Sequence, residues 1–453
     1  MIKPTKHLNR RNFLKSTAGA ATFSLVPSYV VGANGKTPPS EKLNVAGIGV
    51  GGQGGGDLRS FKDENIVALC DVDSTRAAYS FKAYPNAKRY EDFRVLFDKH
   101  KDIDTVVVGT PDHTHAVITL AAIQCGLNVY CEKPLTHTVK EARAVTAAAR
   151  ESKVQTQMGN QGHSSEAIRN VREWVQSGAI GEVREVHAWT DRPDTGPKYA
   201  NFAARSLPTE FPPVPDNLNW DLWLGPVPDQ KYSPSYVPFY WRAWLNFGTG
   251  ALGDMGCHIL DPACWALDLD APTSITAEVK HHSPELAGIA YPIASKVTFE
   301  FPQRGNLCPL KLVWYDGSYE MPRPPMLEDG REMPDSGAII YGSKETIMHG
   351  SHGAGGARII PEIRMKDFKR PEKTIQRIKG GHIADFIRAC KDGKPASSNF
   401  VDYGGRLTEL VLLGVAAQRT PGIKLNWNSE KFEFDHAAAN EFLHAPYREG
   451  WSI

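Results

Sequence analysis

A glycine-rich turn near residue 50 has the residue types that bind a dinucleotide. Gly47, Gly49 and Gly52 form a G-x-G-x-x-G pattern directly after residues 43–46, a short apolar run that predicts a buried strand. In such a turn one glycine makes the tight bend, one lets the backbone approach a pyrophosphate, and one lets the next helix pack on the strand. The N-terminus of that helix then offers free N–H groups to the phosphates.

An acidic residue follows at the distance that this chemistry requires. Residues 66–70 predict a second strand, which ends at Asp71, about 20 residues after the third glycine, where a carboxylate binds the ribose hydroxyls. Asp71 would repel a 2′-phosphate, so the pattern favours NAD over NADP. Arg76 is close enough to keep NADP possible, and Asp73 is an alternative ribose ligand.

Strands and helices alternate through the rest of this region and must position the turn. Such alternation predicts a doubly wound parallel sheet, whose ligands lie beyond the carboxyl ends of the strands. Two polar segments follow predicted strands in this way: residues 109–115, G-T-P-D-H-T-H, and residues 132–134, E-K-P. The predicted helices are 90–99, 116–124 and 139–151, and the predicted strands are 103–108, 127–131 and 154–158.

These motifs in this order resemble the Gfo/Idh/MocA oxidoreductase family. The resemblance covers most of residues 43–420 and includes residues 250–261, which are similar to the family's G-x-x-x-D-x-G-x-H-x-x-D segment. It implies an N-terminal Rossmann domain at 43–158 and a second, α+β domain at 159–453 with a large open, mainly antiparallel sheet for substrate and subunit contacts. A homo-oligomer, either a dimer or a tetramer, is expected on the same grounds.

The resemblance also implies catalytic roles for Lys133, Asp254 and His258. In the family the lysine hydrogen-bonds the reacting hydroxyl, and the aspartate and histidine bind and deprotonate the substrate. Physical chemistry agrees, because oxidation of a secondary alcohol needs a hydride acceptor, a base, and a cation for the developing alkoxide. Taken singly, each residue also has an ordinary structural interpretation: a surface lysine, a helix cap, and a core histidine.

Further site residues follow from the motifs and from the resemblance. No metal site is expected, because none of the seven cysteines forms a CxxC pair. The expected cofactor ligands are Gly47, Gly49, Gly52, Gln53, Asp71, Thr110, Pro111, His115, Glu132, Lys133 and Gln161. The expected substrate ligands are Lys133, Asn160, His163, Trp241, Arg242, Asp254 and His258.

The second region has a long stretch without a regular period. Residues 193–240 are rich in proline and aromatic residues, and they lead into Tyr240, Trp241 and Trp244. Aromatic rings beside polar groups suit a sugar, but they serve a core or an oligomer interface equally well. The predicted helices here are 167–176, 383–391 and 406–418, and the predicted strands are 182–190, 275–280, 294–301 and 310–314.

The N-terminal residues have the layout of an export signal. Adjacent arginines, Arg10 and Arg11, precede a weakly apolar stretch, which is typical of a twin-arginine signal over residues 1–33, followed by a linker at 34–42. A periplasmic location is therefore expected. The formal net charge of +1 gives no basis for nucleic-acid binding, and no apolar run after residue 40 is long enough to span a membrane.

Three functions remain open on the sequence alone. The first is an oxidoreductase acting on a sugar, glycoside or polyol with a tightly bound cofactor, which would suit an exported enzyme without NADH recycling. The second is a glycoside hydrolase that oxidises a ring hydroxyl, eliminates the aglycone and returns the hydride. The third is a Rossmann-fold binding protein without catalysis.

Overall fold

A computed structural model describes residues 41–193 and 202–453, and those from Leu43 onward belong to one compact unit. The proposed signal and most of the linker lie outside the described residues. In the first region six parallel strands form one sheet in the order β3-β2-β1-β4-β5-β6. The strands are β1 (Asn44–Ile48), β2 (Asn65–Cys70), β3 (Lys88–Tyr90), β4 (Thr105–Val108), β5 (Asn128–Cys131) and β6 (Thr156–Met158).

Helices cover both faces of this sheet, as the doubly wound prediction requires. Strand β4 is buried along its whole length, which is the pattern of a central parallel strand covered on both sides. The helices are α1 (Gly52–Arg59), α2 (Ala78–Ala83), α3 (Phe93–Lys99), α4 (Asp112–Gln124) and α5 (Val139–Glu151). Thr138 and Glu141 close a capping box at the start of α5, so this helix begins at the predicted residue.

Two predicted helix starts in the first region differ from the structure by three or four residues. Helix α3 begins at Phe93 rather than Tyr90, because the Asp92 carboxylate accepts the backbone N–H of Arg94 and Tyr90 belongs to the edge strand β3. Helix α4 begins at Asp112 rather than Ala116, so the polar segment after β4 forms the first turn of a helix.

The second region contains a nine-stranded mixed sheet. Its order is β13-β12-β11-β7-β10-β9-β8-β14-β15, and apart from the parallel β7–β10 pair its neighbours are antiparallel. The expected fold class is confirmed. The strands are β7 (Val183–Thr190), β8 (Ser274–Lys280), β9 (Ala294–Phe301), β10 (Leu310–Asp316), β11 (Ser336–Gly342), β12 (Thr346–Gly350), β13 (Arg358–Ile360), β14 (Leu425–Asn428) and β15 (Glu433–Phe434).

Helices pack against one face of this sheet and form a continuous core with the first region. Part of the opposite face is covered by apolar side chains from residues 319–333, which pack on Trp189, Tyr315 and Ile339. The helices are α6 (Glu166–Gln176), α7 (Trp220–Leu224), α8 (Gly250–Ile259), α9 (Asp261–Ala266), α10 (Glu362–Asp367), α11 (His382–Asp392), α12 (Gly405–Gln418) and α13 (Ala437–Asn440). Within the described ranges, no helix is long and apolar enough to cross a membrane.

Candidate active site

The glycine turn has the close backbone approach that its sequence pattern predicts. Gly49 has φ +74°, and a Cβ there would lie 2.7 Å from the backbone of Gly109 and Thr110. Gly52 also has a positive φ, of +57°, at the start of α1. Gly47 has a different role, because a Cβ there would meet Val50 and Leu58, so it allows the helix to pack on the strand.

Asp71 joins strand β2 to the glycine turn. Its Oδ2 accepts the backbone N–H groups of Val50 (2.8 Å) and Gly51 (3.1 Å), and its Oδ1 accepts that of Asp73 (2.9 Å). Burial raises the pKa of this carboxyl above its ordinary value, although the three N–H donors oppose that effect. Asp71 and Asp73 both line the cleft above the sheet, where ribose hydroxyls would meet them.

A cleft with a cavity volume of about 430 Å³ runs from Asp71 to Asp254. The glycine cradle, the carboxylates at one end and the cationic groups at the other fit a nicotinamide dinucleotide. The structure brings most of the predicted residues to this cleft. Those lining it are Gly49, Gly52, Gln53, Asp71, Thr110, Pro111, His115, Glu132, Lys133, Gln161, Trp241, Arg242, Asp254 and His258.

Lys133 and Asp254 form a buried ion pair at the far end of the cleft. The Lys133 Nζ lies 2.6 Å from the Asp254 Oδ1 and also donates to the Asp254 carbonyl at 3.1 Å. Arg192 donates to the Asp254 Oδ2 at 2.7 Å, and the Arg242 Nε lies 3.6 Å from the Oδ1. Burial alone would raise the pKa of Asp254, but the charges of Lys133, Arg242 and Arg192 outweigh it and hold the pKa well below its usual range.

His258 follows Asp254 by one helical turn and is buried beside it. Its Nδ1 is fully buried and has no hydrogen-bond partner in the described part of the chain, and the residue lines the cleft. Burial first, and then the charges of Lys133 and His352, hold the pKa of His258 well below its ordinary value. The imidazole is therefore neutral near pH 7, which is the state a base needs. Asp254 is fixed as a charged partner for Lys133, so His258 is the better base of the two.

Two carboxyl groups meet below the glycine turn. The Gln53 amide donates to the Asp57 Oδ1 at 2.9 Å, and the Gln161 amide donates to the Glu132 Oε1 at 2.8 Å. Burial raises the pKa of Asp57 to about 6 and that of Glu132 well above its ordinary value. The charge of Asp57 raises the pKa of Glu132 further, whereas the hydrogen bond with Glu132 opposes the rise at Asp57. The two glutamines predicted to bind the cofactor thus also hold this carboxyl pair.

His115 connects the two polar segments that follow β4 and β5. Its Nε2 lies 2.8 Å from the carbonyl oxygen of Thr110, and its Nδ1 lies 2.8 Å from that of Pro134. Thr110 in turn accepts the hydroxyl of Thr114 at 2.8 Å. His115 therefore fixes both loops at the edge of the sheet, which positions Lys133.

The structure does not bring Asn160 and His163 to the cleft, although the sequence predicted them as substrate ligands. Both side chains are fully buried and bound to Asp261: the His163 Nδ1 lies 2.8 Å from its Oδ1, and the Asn160 amide donates to its Oδ2 at 3.1 Å. The Tyr403 hydroxyl also donates to Oδ1, at 2.6 Å. Asn160 and His163 thus complete a buried polar network with Asp261 beside α8 and α9.

The aromatic segment before α8 divides between the cleft and the core. Trp241 and Trp244 are both buried in one apolar cluster; Trp241 also lines the cleft, whereas the Trp244 indole N–H donates to the Ser235 carbonyl. Tyr240 is 46% exposed. The Arg242 guanidinium lies 4.0 Å from the ring centres of both Phe239 and Trp241, an arrangement that fixes it by cation–π contact.

Several cleft residues escaped the sequence analysis. Arg192 follows strand β7, 62 positions before Asp254, and His352, on the turn after β12, stacks on His258 with ring centres 4.0 Å apart. Asp112 accepts the Thr249 hydroxyl at 2.6 Å, and burial raises its pKa to about 7. Asp112 could have been predicted, because it lies inside the polar segment after β4. Arg192 and His352 lie in no sequence motif.

The fold and the cleft define a two-domain protein with a dinucleotide-binding Rossmann domain. The comparisons with known proteins agree. Residues 43–160 match the family model "Oxidoreductase family, NAD-binding Rossmann fold", and residues 164–303 match "Oxidoreductase family, C-terminal alpha/beta domain", both of Gfo/Idh/MocA type. The chain belongs to the Gfo/Idh/MocA oxidoreductase family, as its motifs predicted, and NAD is the cofactor of that family's Rossmann domain.

Curated relatives match over part of the chain. Inositol 2-dehydrogenase of Salmonella typhimurium is 28% identical over 34% of this chain and 47% of its own length. Levoglucosan dehydrogenase of Pseudarthrobacter phenanthrenivorans is 24% identical over 43% of this chain and 40% of its own. The chain thus spans about half the length of the curated relatives it matches.

Solved structures share the whole fold at low identity. The WlbA dehydrogenase of Bordetella pertussis, in complex with NADH and UDP-GlcNAcA, has a TM-score of 0.60 at 14% identity, covering 85% of this chain and 99% of its own. An inositol dehydrogenase homolog of Azotobacter vinelandii, with NADH and myo-inositol, has a TM-score of 0.55 at 17% identity, covering 85% and 98%. These likenesses establish the fold.

Proposed function

We propose that the protein is an NAD-dependent oxidoreductase that acts on a secondary hydroxyl of a sugar, glycoside or polyol and keeps its cofactor tightly bound. The observation that carries this proposal is the meeting of Lys133 and His258 in the cleft that also contains the glycine turn. The relatives named as inositol and levoglucosan dehydrogenases support the substrate class.

The glycine turn and Asp71 would hold the cofactor, which supplies the hydride acceptor when bound. Lys133, fixed by Asp254, donates a hydrogen bond to the reacting hydroxyl and stabilises the alkoxide that develops there. The Nε2 of His258 accepts the hydroxyl proton. The ion pair holds the Lys133 ammonium in place before the reaction begins. Water molecules would first have to reorient to stabilise the alkoxide equally well, and the fixed ammonium avoids that cost.

A second candidate is redox-neutral cleavage of a glycoside. Elimination of an aglycone needs a further group that carries a proton, and Asp112 supplies one within the cleft. Its pKa of about 7 gives it both protonation states near neutrality. This observation favours the hydrolase as the alternative function. A purely binding function does not explain why the cleft contains Asp112 and the Lys133–Asp254 pair.

The test starts from protein purified without added nucleotide. Its absorbance in the reduced-nicotinamide band is recorded before and after incubation with free sugars, inositols and aryl glycosides. Reduction that stalls until a second sugar or ketone is added supports the oxidoreductase. Aglycone release with no net reduction supports the hydrolase. Protein that carries no nucleotide and turns over only with added NAD contradicts the tightly bound cofactor.

Export and assembly are separate proposals, supported by the N-terminal sequence pattern and by the family. We propose that the chain crosses the inner membrane folded by the twin-arginine route and forms a homo-oligomer. Replacement of Arg10 and Arg11 by Lys is expected to leave the protein in the cytoplasmic fraction. Light scattering of the purified protein is expected to give the mass of a dimer or a tetramer, and a monomer mass would contradict it.

A further inference from the structure

A segment close to the end of the sequence, Tyr447–Trp451, returns to the Rossmann domain; we call it the tail segment. The Arg448 guanidinium donates to the Asp221 Oδ1 at 2.6 Å, the Asp229 Oδ1 at 2.7 Å and the Gly225 carbonyl at 2.6 Å. The Tyr447 hydroxyl donates to the Glu141 Oε1 at 2.5 Å. Two adjacent residues therefore anchor the tail segment, and the turn at residues 449–450 follows them and leads to Trp451.

This anchoring places Trp451 at the cleft. The indole ring lies beside Phe93, with ring centres 6.1 Å apart, and the Arg94 guanidinium lies 4.6 Å from its ring centre. Trp451 lines the same cleft as Asp71 and the glycine turn. Phe93 begins the helix after β3, and β3 is the neighbour of β2 in the sheet, so Trp451 stands at the end of the cleft that Asp71 marks.

A second segment reaches the same end; residues 217–223 are called the strap. Leu218 forms a bridge with Asp73, the Asn219 N–H donates to the Val72 carbonyl at 2.8 Å, and the Asn217 amide donates to the Asp73 Oδ1 at 2.8 Å. The strap is thus bonded to the loop after β2, which follows Asp71 directly. Arg448 in turn holds Asp221, so the strap and the tail segment support each other.

Apolar side chains of both segments line the cleft together with the carboxylates of Asp71 and Asp73. Since the acidic residue after β2 takes the ribose of the adenosine half, this end of the cleft is where an adenine ring would lie. Aromatic side chains that stack on a base stabilise its binding, whatever the base. The apolar residues that line this end are Phe93, Ile118, Leu218, Leu222, Trp223 and Trp451.

We propose that the strap and the tail segment enclose the adenosine half of the cofactor, with Trp451 in contact with the adenine ring, and that the cofactor leaves only after the tail segment detaches. This inference rests on the proposed function, because the enclosure explains structurally why the cofactor stays bound. The G-x-G-x-x-G motif does not explain the retention, since the same glycine turn binds cofactors that exchange and cofactors that stay bound.

The experiment measures dissociation of NADH from the full-length protein, followed by fluorescence after mixing with excess NAD. Trp451→Ala and Arg448→Ala are compared with Ile453→Ala, a matched change at an exposed position two residues beyond Trp451. We expect NADH to dissociate at least about tenfold faster from the first two variants and at the wild-type rate from the third, since one stacked ring is lost. Circular dichroism checks that each variant is folded.

Reduced nicotinamide mononucleotide, which lacks the adenosine half, provides the second measurement. Its affinity is expected to be equal in the wild type and Trp451→Ala, because the enclosed end is not used. NADH dissociation at the wild-type rate from Trp451→Ala, or an equal loss of mononucleotide affinity, would overturn the enclosure and leave the oxidoreductase intact. A wild-type protein that binds neither nucleotide would overturn the cofactor assignment itself.

Discussion

Two aspartates seven residues apart, on consecutive helices, have opposite surroundings. Asp254 faces the cleft and pairs with cations, Lys133 at 2.6 Å and Arg192 at 2.7 Å. Asp261 turns into the core and accepts hydrogen bonds from His163 and Tyr403, with both its oxygens occupied. One motif therefore supplies a carboxylate that holds Lys133 in the cleft and a carboxylate that holds the core together, and the residue type alone does not separate them. Removal of each should damage a different property.

The largest expected effect comes from Lys133→Met, which keeps the length of the side chain and removes its charge. Hydride transfer should fall about 10²–10³-fold, because the developing alkoxide loses its charged donor. Single-turnover reduction of bound cofactor measures this, and NADH affinity from fluorescence titration should change little. The contradicting result is a Lys133→Met rate within a few-fold of the wild type.

On the core side of the comparison, Asp261→Asn should destabilise the fold. His163, Asn160 and Tyr403 would compete for one amide, and a buried polar group left without a partner costs about 1–3 kcal/mol. Urea denaturation followed by tryptophan fluorescence measures the change in the free energy of unfolding. Asp254→Asn is the matched variant. If it lowers stability as much as Asp261→Asn does, the division between the two aspartates is wrong.

A third carboxyl, Asp112, lies at the cleft floor and gives a pH-dependent test. Its folded-state pKa of about 7 is raised above the ordinary value of 3.8, so the folded protein favours the protonated form and loses that stability as the pH rises from about 4 to 7. Asp112→Asn still accepts the Thr249 hydroxyl and has no charge to bury. It should therefore be more stable than the wild type at pH 8, by about 4 kcal/mol, and equal at pH 4. Thermal unfolding at both pH values measures this, and no gain at pH 8 would count against it.

The smallest expected effect is at His352, which stacks on His258 without bonding the substrate-facing nitrogen. Burial and the neighbouring charges lower the pKa of His258, so hydride transfer should persist as the pH falls through 6.5. His352→Asn removes one source of that depression and uncovers the ring. The acid limb of the pH–rate profile should move to higher pH while the plateau rate stays close to that of the wild type. An acid limb at the wild-type position would show that His352 does not affect the pKa of His258.

The sequence predicted the sheet of the first region because buried β-branched runs and glycine punctuation are local signals. Helix α5 begins and ends at its predicted residues, since Thr138 and Glu141 encode its start. The predicted start of α3 was wrong because the edge strand Lys88–Tyr90 has only three residues, which is too short to show a periodic pattern in the sequence.

The site was predictable where motif residues follow strands, as with Lys133. Asn160 and His163 show the limit: their types suit a ligand, and only their contact with Asp261, about a hundred residues away in the chain, turns them inward. Arg192 and Trp451 reach the cleft from segments without any motif, so tertiary packing alone reveals them. Long-range contacts of this kind leave no period in the sequence.

The central claim is that a sugar C–H hydrogen passes to the nicotinamide held in this cleft and that Lys133 is required for the transfer. The direct measurement incubates the protein with perdeuterated sugars and polyols, denatures it, and weighs the released nucleotide by mass spectrometry. The oxidoreductase predicts deuterium in the nicotinamide of the wild type and none in Lys133→Met. The redox-neutral reaction returns the deuterium to the sugar, so it predicts labelled nucleotide only when the protein is denatured during turnover. Unlabelled nucleotide from the wild type with every compound, or equal labelling in the two proteins, would contradict the account.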